Sequence, residues 1–87
     1  MAYEIEYAPS AERQVRKLPR DVQVRVLQKV DQLASHPRPS GCKRLVGRTE
    51  MWRVRIGDYR VVYRIDDDRE FLIITVVGHR RDVYRDL

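Results

Sequence analysis

Residues 52–65 read "WRVRIGDYRVVYRI", and this stretch constrains the fold more than any other. Apolar and charged residues alternate on both sides of Gly57-Asp58, the pattern of two strands joined by a two-residue loop of the Gly-X kind. A loop that short fixes the register. Ile56 is expected opposite Tyr59, Arg55 opposite Arg60, Val54 opposite Val61, Arg53 opposite Val62, and Trp52 opposite Tyr63. Successive strand side chains point to opposite faces. Trp52, Val54, Ile56, Tyr59, Val61, Tyr63 and Ile65 therefore make one apolar face, suited to packing on helices. Met51, Arg53, Arg55, Arg60, Val62 and Arg64 make the other, with four arginines and no acid. Directly opposed like charges destabilise a strand pair by up to about 1 kcal/mol. A fold has no need of that cost, so the face reads as an anion site with its arginines aimed at one or two phosphates.

The rest of the chain supplies the helices that such a hairpin needs. "YEIEY", residues 3–7, alternates as a first strand. Ala8, Ala11, Val15 and Leu18 fall at helical spacing, with Pro9 and Ser10 as start signals. Pro19 ends that helix and opens another, whose apolar stripe is Val22, Val26, Leu27, Val30, Leu33 and Ala34. The second helix must stop by His36, because Pro37 and Pro39 follow. His36 itself reads as a loop residue. "CKRLVG", residues 42–47, is a short extended piece, and three strands follow at 50–56, 59–65 and 70–77. "FLIITVV" has no polar face and is expected to be an interior strand covered on both sides. "HRRDVYRDL" reads as a short helix or tail. The expectation is a single α+β domain over residues 1–87: an N-terminal strand, a two-helix hairpin, an antiparallel three-strand meander and a short C-terminal helix.

Charge and cysteine usage narrow the partners. Fifteen of the 18 basic residues are arginine, and the net charge of +5 is concentrated in residues 41–64. Arginine offers a planar fork of donors that suits phosphate and stacks on bases, so polyanions or an acidic protein are expected. The core-side aromatics leave the sheet without the exposed stacking rings of a common RNA-binding sheet. The lone Cys42 cannot form an internal disulfide and has no second thiol for a metal site. Asp66, Asp67 and Asp68 read as a solvated turn rather than a metal site, because neighbouring turn residues diverge. The longest apolar run, Phe71–Val77, is too short to span a bilayer, and "MAYEIEYA" has no apolar signal segment. No membrane association, no cofactor and a cytoplasmic location are expected.

"KRLVG", "WRVRIGDYRVVYRI" and "VVGHRRDVY" together resemble the RelE/ParE superfamily of bacterial and archaeal toxins, and "SAERQVRKLP" is similar to that family's first helix. The element order matches over nearly the whole chain. The resemblance implies the toxin of a type II toxin–antitoxin system. In its RelE branch it implies a ribosome-dependent endonuclease that cuts mRNA in the A site without metal, by 2′-hydroxyl attack on the adjacent phosphate. It implies a cognate acidic antitoxin, contacts with the ribosome and mRNA, and operator DNA bound through the antitoxin. The ParE branch would instead imply a gyrase inhibitor with no nuclease activity. A catalytically weak corepressor that mainly binds antitoxin is the remaining alternative.

Carried over residue by residue, the family's basic positions fall on Arg53, Arg55, Arg60 and Arg80, and its C-terminal tyrosine on Tyr84. Fixed cations aimed at a five-coordinate phosphorus lower its barrier, and here they would replace a metal. Well-studied RelE proteins place lysines where Arg53 and Arg55 stand. Arginine is always charged and is a poor proton acceptor, so the general base is sought among His79, Glu50 and Tyr84. Lys43, Arg44, Arg48, Arg64 and Arg81 are assigned to RNA and ribosome contacts.

Overall fold

Pro9 opens the helical part of the chain and Pro19 divides it into two helices. The computed structural model describes residues 2–45, 47 and 50–81. Strand β1 spans Glu4–Tyr7. Helix α1 is Pro9–Arg16, opening on the proline at a position whose missing N–H needs no partner. Glu12 in its first turn and Arg13 and Arg16 in its last suit the helix dipole. Helix α2 is Arg20–Leu33, entered directly after Pro19. Gln23 of α2 donates to the Val15 carbonyl at 3.0 Å, which ties the two helices together. Then come β2 Lys43–Arg44, β3 Met51–Ile56, β4 Tyr59–Asp66 and β5 Phe71–His79.

These strands form a single five-stranded sheet in the order β1-β5-β4-β3-β2. The β3–β4 register is the expected one from Ile56↔Tyr59 to Trp52↔Tyr63, and it continues to Met51↔Arg64. Strand β1 lies parallel to β5, with Glu4 opposite Phe71 and Tyr7 opposite Ile74. Both helices cover one face of the sheet. Ala11, Val15, Val22, Val26, Val30 and Leu33 pack there on Val54, Ile56, Val61, Tyr63, Ile65, Leu72, Ile74 and Val77. Among the described residues, every fully buried one is hydrophobic.

Two expectations change. Leu27 is 40% exposed, because Val22, Val26, Val30 and Leu33 already fill the face that α2 turns inward. Strand β5 is interior to the sheet but is covered by helices on one side only. Phe71, Ile73 and Thr75 are half-buried on the other side. Strand β5 also carries a bulge: Val62 pairs with Val76, but Tyr63 pairs with Ile74, leaving Thr75 as the extra residue. The bulge turns Val76 away from the helices and onto the open face, where it packs with Val62. The Thr75 hydroxyl donates to the Val62 carbonyl at 3.1 Å. Beyond the end of β1 the Val77 N–H has no strand beside it, and Gln14 Oε1 of α1 accepts it at 2.7 Å. The expected C-terminal helix lies outside the described residues.

Candidate phosphate-binding face

Strand register places the arginines in rows. Arg55, Arg60 and Gly78 form the row nearest the β3–β4 turn. Lys43, Arg53, Val62 and Val76 form the next, and Met51, Arg64 and Ile73 a third, with Glu6 of β1 at its end. The open face is not a plain field of solvated charge. Val62 and Val76 are buried on it, with Leu45 and Met51 packed against them, so the arginines surround an apolar floor. The face is also polarised. Glu4, Glu6 and Asp66 share it at the β1 end and the far turn, whereas the rows at the β3–β4 turn carry the cations.

Each cation is held differently. Arg53 is half-buried, and its Nη1 is buried without a hydrogen-bond partner. An unpaired donor on a charged group costs free energy, which an anionic oxygen would offset. Arg55 is exposed. Arg60 curls back over the turn, its Nη1 donating to the carbonyls of Gly57 at 3.1 Å and Tyr59 at 3.0 Å. The row partner Gly78 puts no side chain beside it. Arg80 is drawn to the same turn: its N–H donates to the Asp58 carbonyl at 2.7 Å and its Nε lies 3.9 Å from Asp58 Oδ1. The backbone of Gly57 is left-handed, with φ of 60°, so any side chain there is strained. The turn therefore gathers Arg60 and Arg80 at one end of the face.

Other expected site residues lie elsewhere. His79 pairs with Tyr59 and meets its ring edge-on at 5.6 Å between centroids, on the helix side of the sheet. Its Nδ1 accepts the Arg81 N–H at 3.3 Å. The register thus separates His79 from the face of Arg53, Arg55 and Arg60. Arg44 pairs with Trp52 and lies over its ring at 5.5 Å, again on the helix side, whereas Lys43 shares the face of Arg53. Glu50 lies 3.8 Å from Arg64, at the end of the face remote from the β3–β4 turn. Arg81 is exposed just past β5. Arg48 and Tyr84 lie outside the described residues.

The structure adds residues that local pattern does not reveal. Arg25 of α2 brings its Nη1 to within 3.4 Å of where a Cβ on Gly57 would sit, a contact across 32 residues of sequence. Asp67 is a clamp. Arg38 donates to both of its oxygens, at 3.2 and 2.9 Å, and the Tyr3 hydroxyl donates at 2.8 Å. Arg38 also lies over Trp52 at 4.9 Å. Among the described residues, no three His, Cys, Asp or Glu side chains are placed to hold a metal ion.

Asp67 makes a pH-dependent contribution. The Arg38 hydrogen bond first, and then that of Tyr3, hold its carboxyl below its ordinary value. Its folded value lies below the unfolded one, so its stabilisation is present above about pH 4 and is lost as pH falls through the depressed value. Asp67→Asn should flatten the acid limb of stability, measured by thermal melts between about pH 5 and pH 2. An unchanged limb would contradict the assignment.

With this geometry in hand, the relatives decide the family. The model of the "ParE toxin of type II toxin-antitoxin system, parDE" family matches residues 5–84. The chain belongs to the RelE/ParE toxin superfamily. It is 31% identical to toxin RelG of Mycobacterium tuberculosis (strain ATCC 25618 / H37Rv) over 86 residues, 98% of this chain and 99% of that protein. The toxin–antitoxin complex RelBE2 of the same organism contains a chain 29% identical, with TM-score 0.80, covering 92% of this chain and 100% of that one. The archaeal RelE–RelB complex of Pyrococcus horikoshii OT3 gives 26% identity and TM-score 0.81, covering 92% of this chain and 97% of that one. This protein is thus a RelE-like toxin of a type II toxin–antitoxin system. Among its described residues no helix is long and apolar enough to cross a membrane.

Proposed function

We propose that this toxin is a ribosome-dependent mRNA endonuclease that cuts in the A site by metal-independent 2′-hydroxyl attack. The observation that carries the reading is the open face itself, where Arg53, Arg55 and Arg60 share adjoining rows and Arg53 buries a donor with no acceptor. In the proposed step the 2′-oxygen bonds to phosphorus and the bond from phosphorus to the 5′-oxygen breaks. The products are a 2′,3′-cyclic phosphate and a 5′-hydroxyl. Arg55 and Arg60 neutralise the non-bridging oxygens as charge builds on phosphorus. Arg53 holds the backbone or the 2′-oxygen, and Arg80, beside the turn, stabilises the leaving 5′-oxygen. Tyr84 orients a nucleotide or moves a proton. Lys43, Arg64 and Arg81 contact RNA or the ribosome as positioning groups. The partner assigned to the toxin is an acidic antitoxin that covers the arginine face or displaces the segment bearing Tyr84, and that carries any operator-DNA binding of the complex.

The match to the ParE family favours a second reading, a gyrase inhibitor without nuclease activity. Mapping mRNA 5′ ends in a translating extract separates the two. The nuclease reading expects new 5′-hydroxyl ends inside coding sequence, dependent on translation. Intact mRNA under toxic doses, with DNA damage in cells, would overturn it in favour of the second.

A further inference from the structure

Arg55 faces the open side by register, yet it also lines a second concavity at the sheet edge. Strand β2 runs alongside β3 only as far as the Lys43↔Arg53 pair, so β3 is uncovered beyond it. There a cleft of about 290 Å³ opens between α2, the loop before β2, and β3. Its lining is Lys29, Ser40, Gly41, Lys43, Val54 and Arg55, with three cations drawn from three separate elements and no carboxylate.

Five of the surface arginines are already partly neutralised. Arg16, Arg38, Arg64, Arg69 and Arg80 each lie beside an acidic partner. Among the described residues, Lys29, Lys43 and Arg55 have no ion pair. Lys29 is also half-buried, so its ammonium is presented from a partly fixed stem rather than swept through solvent. Gly41, with φ of 88°, leaves bare backbone at the rim, and Ser40 adds a hydroxyl donor. Converging cations without a counter-charge repel one another, and one phosphate accepting charge-assisted hydrogen bonds from them relieves that repulsion.

We propose that this cleft holds a second phosphate of the RNA backbone, off the arginine face, and that Arg55 is the residue common to the two sites. The proposal rests on the nuclease reading for its ligand. The RNA then passes from the open face around the β2–β3 edge towards α2, and Lys29 is a positioning residue.

The test uses the full-length toxin and a fully 2′-O-methylated single-stranded RNA, which cannot be cleaved, with fluorescence anisotropy at several salt concentrations. Lys29→Glu is expected to raise Kd about tenfold, and Lys29→Ala and Lys43→Ala each to lower the slope of log K against log salt by about 0.7, the value for one single-strand phosphate contact. Lys29→Arg is expected to restore binding, which separates loss of charge from loss of fold. Lys17→Ala, on the exposed end of α1, serves as the surface control. Wild-type Kd and slope in Lys29→Glu would overturn the proposal. So would weakened antitoxin binding with unchanged RNA binding, which would assign the cleft to acidic side chains. Because the probe is uncleavable, a toxin that cuts nothing would refute the nuclease reading and leave this measurement intact.

Discussion

Methionine in place of Arg53 should stabilise the fold while removing most of the cleavage. The guanidinium of Arg53 is half-buried beside Val62, and its Nη1 is buried without a partner. Such a group costs about 1–3 kcal/mol relative to an apolar one of similar shape. Methionine keeps an unbranched stem against the floor of Val62, Val76, Leu45 and Met51 and drops the unpaired donors. A gain of about 1 kcal/mol corresponds to roughly 4–8 °C in melting temperature for a domain of this size. In the proposed mechanism the same change removes the cation that holds the backbone or the 2′-oxygen, an expected loss on the order of 10²–10³ in rate. Thermal melts and single-turnover cleavage on programmed ribosomes give the two readings. A variant that melts lower and still cuts at the wild-type rate would contradict both halves of the argument. The opposition between stability and activity is the signature of a group retained for function.

The second large effect is structural. Tyr63 has no exposed surface, sits in the centre of the core, and donates its hydroxyl to the Pro37 carbonyl at 2.6 Å. Burial pushes its hydroxyl well above the ordinary tyrosine value, so it remains a donor throughout the neutral range. This single side chain fills the space under the helices and ties down the loop after α2. Tyr63→Ala should cost about 3–5 kcal/mol, a large share of the roughly 4–13 kcal/mol expected for a domain of this length. Tyr63→Phe keeps the ring and leaves the Pro37 carbonyl without its donor, for about 1–2 kcal/mol. Urea unfolding of the two variants checks the ordering. Equal losses would mean that the hydroxyl, rather than the packed ring, holds this region.

What was legible in the sequence was local. The two-residue turn at Gly57-Asp58 and the alternation around it specify the β3–β4 register and both faces, because period and turn length leave no other pairing. Pro9, Pro19 and Pro37 mark the helices for similar reasons of backbone geometry. What was missed depends on contacts distant in sequence. Nothing in "FLIITVV" announces the bulge at Thr75, which moves Val76 to the open face. The placement of His79 follows from its pairing with Tyr59, a strand contact that its own neighbourhood does not encode. Arg44 looks like any basic residue until its pairing with Trp52 turns it to the helix side. Asp67 resembles its neighbours Asp66 and Asp68, and only the distant Arg38 and Tyr3 single it out. The arginine face was readable as a set of positions. Arg53's buried donor and Arg60's hold on the turn needed coordinates.

The face on which chemistry takes place is the central claim, and one comparison tests it most directly. Single-turnover cleavage on programmed ribosomes should be measured for wild type, Arg60→Ala and His79→Phe, the last chosen to keep a ring against Tyr59. The expected result is a loss of about 100-fold or more for Arg60→Ala, and a rate within about threefold of wild type for His79→Phe, well short of the 10²–10⁴ that loss of a general base costs. Wild-type cleavage by Arg60→Ala together with an inactive, folded His79→Phe would place the chemistry on the helix side and contradict the account.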